Sequence, residues 1–144
     1  MKIDFKNRDS FKLCGYSVET NLDSALEDIG DLCEKYEEKL LKLTDSNLYG
    51  VMWYSEGHNY VYAVAIEYED NFNKENMEFI EIPSAYFAIA TVPENMSVIE
   101  AWTVYFEKSL PELGYLPDYE HGLFFESYDN NGTCELWTPV KKEE

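Results

Sequence analysis

Basic residues are scarce in this 144-residue chain: 11 Lys and Arg stand against 29 Asp and Glu, a formal net charge of −18 and a sequence pI of about 4.3. Such a field repels phosphate backbones, so direct nucleic-acid binding is not expected. It favours cationic ligands or a basic protein surface, although most of it should be solvated surface that promotes solubility. Histidine is rarer still. His58 and His121 are the only two, with no HExxH or related spacing, which excludes the usual transition-metal enzymes. Both read as surface residues. The three cysteines, Cys14, Cys33 and Cys134, are odd in number, widely spaced and without a CxxC. That argues against a disulfide framework or a zinc site, and for reduced, buried thiols in a cytoplasmic protein. No apolar run approaches the ~20 residues of a membrane helix, and the start Met1-Lys2-Ile3-Asp4-Phe5-Lys6 has no apolar run behind its lysines, so neither a membrane span nor a leader is expected. Walker and GxGxxG sequences are missing too, and no cofactor is expected.

What the chain does have is apolar material: 45% hydrophobic and 16% aromatic residues, enough for one real core. The length predicts one domain over 1–144. Leu22, Ala25, Leu26, Ile29, Leu32, Cys33, Tyr36, Leu40 and Leu43 recur at helical spacing, with Asp23 to Glu38 supplying an acidic, solvated opposite side. A second helix opens at the capping box Ser97-Val98-Ile99-Glu100 and stops near Pro111 and Gly114. Strands are predicted at about Phe11–Thr20, Leu48–Ser55, Tyr60–Glu69, Met77–Val92, Gly122–Tyr128 and Thr133–Val140. Asn130-Asn131-Gly132 and Glu56-Gly57-His58-Asn59 read as hairpin turns. The order is strand, helix, strand, strand, then the same again, in pseudo-repeats of about 8–70 and 77–142. The predicted class is α+β: a duplicated β-α-β-β unit forming an antiparallel sheet, both helices on one face, and a ligand groove between the pseudo-symmetric halves.

Several short motifs occur in a telling order: Phe11…Gly15, Tyr49-Gly50, Ile82-Pro83-Ser84-Ala85-Tyr86-Phe87-Ala88, Trp102, Leu110-Pro111…Gly114-Tyr115, Phe125-Glu126-Ser127-Tyr128 and Leu136-Trp137-Thr138-Pro139-Val140. In order and spacing the chain resembles the GyrI-like family, the effector-binding module that also ends AraC-type multidrug-sensing transcription regulators. The resemblance spans Phe11 to Val140. It implies a stand-alone module with a central groove for hydrophobic, often cationic, small molecules. The family's binding glutamate carries over to Glu126, the aromatic before the terminal proline to Trp137, and the helix aromatic lining the groove to Trp102, with Tyr105 and Phe106 as further candidates. Ser109 stands where the family commonly has tryptophan, which implies a differently shaped upper pocket.

The residues support a site of that kind. Period-two alternation puts Phe124, Glu126 and Tyr128 on one face of their strand and Leu123 and Phe125 on the other. If Leu123 and Phe125 pack on the helices, Glu126 faces the groove among aromatics. Burial would raise its pKa, and a bound organic cation would offset the cost, helped by about 0.5–2 kcal/mol from each cation–π contact. Trp137 reads either as core or as a groove wall paired with Glu126 across the hairpin. Tyr54, at the repeat position of Glu126, and Tyr62 and Tyr68 on the third strand are candidates to approach from the opposite half.

Three functions are compatible with these residues. One is a sensor or sequestering protein for lipophilic, cationic compounds. Another, implied by the resemblance, is a hydrolase of electrophilic cyclopropane-type compounds in which Glu126 and Tyr54 would be catalytic. The last is an acidic inhibitor of a basic protein partner, a regulator or a gyrase.

Overall fold

Strand formation begins earlier than the hydrophobic pattern suggests. In the computed structural model, which describes residues 1–55, 57, 59–70, 74–118, 120 and 123–143, β1 (Ile3–Arg8) precedes β2 (Phe11–Thr20). Helix α1 (Ala25–Leu41) follows, then β3 (Leu48–Tyr54), β4 (Tyr60–Glu67), β5 (Glu78–Ile82) and β6 (Ala85–Thr91). The second helix is built from α2 (Val98–Val104), a π-helical turn (Tyr105–Ser109) and α3 (Leu110–Glu112). The chain ends with β7 (Tyr115–Pro117), β8 (Phe124–Tyr128) and β9 (Cys134–Lys142). His58, His121 and Gly122, which the sequence reading placed in turns or at a strand start, lie outside the described residues.

The architecture is α+β, as expected: an antiparallel sheet in the order β1-β6-β9-β8-β3-β4-β2-β5, with β7 added beside β9 and two helices against it. The two β-α-β-β units meet where β3 pairs with β8. The strand expected over Met77–Val92 is two strands. Pro83 has no N–H to give the ladder, and the run breaks there into β5 and β6. β1 pairs with β6 and β2 with β5 in one continuous register, Ile3 with Ala90, Arg8 with Ala85, Phe11 with Ile82 and Gly15 with Glu78. Because β1 and β5 stand at opposite ends of the strand order, this ribbon ties the two ends of the sheet together.

That closure decides what each face does. The face turned into the curl is filled by one cluster from both halves, including Leu13, Tyr49, Val51, Ile82, Phe87, Phe125 and Trp137. The other face carries the helices. Leu32 and Leu40 of α1 cover Tyr16, Tyr62, Val64 and Ile66, while Ala101, Tyr105 and Leu110 cover Ala88, Ala90 and Leu136. The face opposite the helices was expected to be free for a ligand cleft, but it is packed core instead.

Both helix starts have local causes. The Asn21 carboxamide oxygen accepts the Asp23 and Ser24 amides at 2.9 and 3.1 Å, an Asx turn that delays α1 until Ala25. Leu22, which the delay leaves outside the helix, and Leu26 in its first turn were both assigned above to the apolar stripe, yet they are 87% and 80% exposed. The Ser97 hydroxyl accepts the Glu100 amide at 3.1 Å and caps α2. The last hairpin turn is as anticipated, with Gly132 at φ +82° and the Asp129 carboxylate accepting the Asn131 and Thr133 amides.

Candidate functional site

Glu126 is on the inner pair of strands, and its Cα partner across β3 is Gly50. Phe125 points into the curl, so alternation sends the Glu126 side chain to the helix-bearing face. This reverses the assumption that Leu123 and Phe125 pack on the helices. The two helices flank the site instead of roofing the opposite side.

The carboxylate is only 6% exposed, and both of its oxygens are engaged. The Trp102 indole N–H of α2 donates to Oε2 at 2.8 Å. The Tyr62 hydroxyl of β4 and the Tyr128 hydroxyl of β8 donate to Oε1 at 3.2 and 2.9 Å. The donors therefore come from both halves of the molecule. All three are neutral, and no ion pair among the described residues includes Glu126. Desolvation raises its pKa above the ordinary carboxylate range, and the three hydrogen bonds counter only part of that rise. Burial and the negative charge of Glu126 push the Tyr62 and Tyr128 hydroxyls upward too, so both stay protonated donors.

Gly50 makes this arrangement possible. A Cβ there would collide with the Tyr62 hydroxyl and come within 2.9 Å of Glu126 Oε1. An aromatic stair leads outward on the α2 side: Trp102 stacks on Phe106 at 5.3 Å, and Phe106 meets Phe124 at 5.8 Å. Pro111 cannot continue the α-helical ladder, and the Leu110 amide instead donates to the Tyr105 carbonyl, which widens the turn. On the α1 side lies a cavity of about 460 Å³ lined by Cys33, Glu37, Leu48, Tyr62, Val64 and Tyr128 among others. Tyr62 and Tyr128 thus stand between the cavity and the carboxylate.

The predicted site residues divide. Trp102, Tyr62 and Phe124 gather around or beside Glu126. Trp137 does not: its partner across the hairpin is Phe125, and it stacks on that ring at 5.3 Å inside the curl, its N–H donated to Glu135. Tyr105 is fully buried, its hydroxyl donating to the Ala88 carbonyl at 2.7 Å, because its side of the helix faces the sheet. Tyr54 is 79% exposed at the end of β3. It lies four residues past Gly50, about 13 Å along a strand. Tyr68 packs against Phe79 at 5.6 Å, away from the carboxylate. Cys33, expected in the core, lines the cavity. Sequence reasoning put Tyr128 on the correct face without naming it as a donor. It registered Gly50 only as part of the Tyr49-Gly50 motif.

Among the described residues no group of His, Cys, Asp and Glu could hold a metal ion, and no helix is long and apolar enough to cross a membrane. Residues 5–140 match the Cass2 family, described as integron-associated effector binding protein. No curated protein matches the chain by sequence. Solved structures share its fold, among them an integron cassette protein from the mobile metagenome of Vibrio cholerae, 19% identical with a TM-score of 0.73 over 96% of this chain and 95% of that one. SAV2435, solved bound to tetraphenylphosphonium, is 16% identical with a TM-score of 0.74 over 98% and 94%. A transcription regulation protein from Staphylococcus aureus is 16% identical with a TM-score of 0.69 over 98% and 99%. This is the GyrI-like effector-binding fold that the sequence motifs implied.

Proposed function

Because the chain belongs to the Cass2 family of integron-associated effector binding proteins, we propose that it binds lipophilic organic cations between its two helices, with Glu126 as the charge that selects them. The observation that carries this reading is a buried carboxylate held by three neutral donors, with no cation beside it among the described residues. An ionised carboxylate in such a place is poorly compensated, and a desolvated organic cation supplies what is missing. An alkyl or aryl cation loses little hydration on leaving water, whereas a small inorganic ion would lose a great deal.

Recognition would use residues in three roles. Glu126 supplies the attraction. Trp102, Phe106 and Phe124 offer ring faces, each worth about 0.5–2 kcal/mol to a cation at contact. Tyr62 and Tyr128 hold the carboxylate in place and wall off the cavity on the α1 side. Trp102 is half-exposed and bonded to Oε2, so a ligand that reaches the carboxylate displaces the indole. The tetraphenylphosphonium held by SAV2435 is a ligand of this chemical type.

The hydrolase alternative asked Tyr54 to work beside Glu126. Its exposed position at the end of β3 favours binding over turnover. The test is a tryptophan-fluorescence titration with tetraphenylphosphonium and a neutral aromatic isostere, followed by the mass of the recovered ligand. Saturable quenching by the cation alone, with its mass unchanged, supports the reading. Equal response to the isostere removes the charge selectivity, and a changed mass in an electrophilic analogue replaces binding by turnover.

A further inference from the structure

The one arginine of this acidic chain, Arg8, ends β1 and reaches into the curl of the sheet, on the face away from Glu126. Its guanidinium carbon lies 3.7 Å from the ring centre of Phe11, 5.0 Å from Trp137 and 6.0 Å from Phe125. Its Nη2 lies 3.4 Å from Glu67 Oε1, which also accepts the Tyr49 hydroxyl at 3.1 Å. Ring faces on several sides and a carboxylate at the edge are the chemistry by which proteins recognise guanidinium and methylated ammonium groups. Ten lysines were available to serve as surface cations, yet the single planar one sits here.

We propose that this cage is a second cation site, for small guanidinium or methylammonium compounds, and that Arg8 is its resident occupant when no ligand is present. Two features make the occupant exchangeable. The Arg8 and Glu67 side chains keep 23% and 39% exposure, so the rim of the cage meets solvent while Phe125 and Trp137 form its buried floor. Arg8 also ends β1 beside Asp9 and Ser10, an exposed break in the ribbon between β1 and β2, where its side chain can leave the cage without the strands separating. Tethering gives Arg8 a high effective concentration, so an external ligand competes at millimolar levels or above. The site does not depend on Glu126, because Phe125 and Glu126 point to opposite faces of β8. A Glu126→Gln protein should retain it unchanged.

The full chain carries one Arg Nε–H, so nitrogen-edited proton NMR reads the occupant directly. In the resting protein its signal should be shifted by the rings, and methylguanidinium up to about 50 mM should move it saturably toward the random-coil position, since a short tether competes at millimolar effective concentration. Arg8→Ala empties the cage and should bind methylguanidinium with a Kd of about 1–10 mM, tighter than wild type by about twofold or more against a competitor tethered at millimolar effective concentration, with a matching rise in Tm. Adding Trp137→Leu should abolish that binding. The proposal is overturned by a folded Arg8→Ala that shows no saturable response, or by a response that survives Trp137→Leu. Should Arg8→Ala not fold, recovery of native circular dichroism on adding methylguanidinium supports the site. Failure to recover, with an unmoving wild-type Arg8 signal, rejects it.

Discussion

Gly50→Ala tests the geometry of the carboxylate site by putting a single methyl group in place of a hydrogen. Gly50 is not among the glycines at positive φ, so alanine meets no backbone objection there. In open space the change would stabilise by about 0.4–1 kcal/mol through the unfolded chain. Here the new Cβ meets the Tyr62 hydroxyl and lies 2.9 Å from Glu126 Oε1. The Tyr62 ring must move and surrender its 3.2 Å bond to the carboxylate. A hydrogen bond to a charged group is worth about 1.5–3 kcal/mol, so the net loss should be about 1–2 kcal/mol after the unfolded-state gain. Urea unfolding followed by circular dichroism measures it. The decisive comparison is the cycle with Tyr62→Phe. With the hydroxyl already gone, Gly50→Ala should cost at least ~1 kcal/mol less than in wild type. Additivity within about 0.5 kcal/mol would refute the claim that Gly50 is a glycine for the sake of that contact.

Other consequences concern pH, packing and capping. Glu126 has a raised pKa in the folded protein and an ordinary one of about 4.3 when unfolded, so its contribution to stability is complete below that value and lost as pH rises through the folded one. Wild type should therefore lose stability relative to Glu126→Gln as pH rises above about 4.5 in urea titrations, and a flat difference contradicts the burial. Tyr105→Phe removes the buried bond to the Ala88 carbonyl and should cost about 1–1.5 kcal/mol while leaving cation affinity unchanged in a fluorescence titration. Ser97→Ala removes the cap of α2 and should cost about 1 kcal/mol by the same unfolding assay.

Much of this was legible in the residues. Helix periodicity, the Ser97 cap and the Asn-Gly turn each act within a few positions of sequence, and the repeated element order gave the sheet. Glu126 stood out because a carboxylate in an apolar strand must have a partner. What failed was register and face. The last hairpin loop runs over five residues, 129–133, so Phe125 and not Glu126 lies opposite Trp137. A shift of one residue inverts every face assignment. β1 alternates apolar residues with Asp4, Lys6 and Asn7, and such a charged edge strand reads locally as a polar tail. Trp102 and Tyr105 share a periodic helix, and only the packed structure shows which of the two meets the carboxylate. The role of Gly50 was hidden for the same reason: it depends on a cross-strand neighbour 76 residues away.

The central claim is that Glu126 supplies the charge that selects the ligand, and one pair of affinities tests it most directly. Tetraphenylphosphonium would be titrated by calorimetry into wild type and into Glu126→Gln, with native circular dichroism verified for both. The account predicts at least tenfold weaker binding to Glu126→Gln, about 1.4 kcal/mol, together with little change for a neutral aromatic of the same shape. Equal affinity of the two proteins for the cation would contradict it.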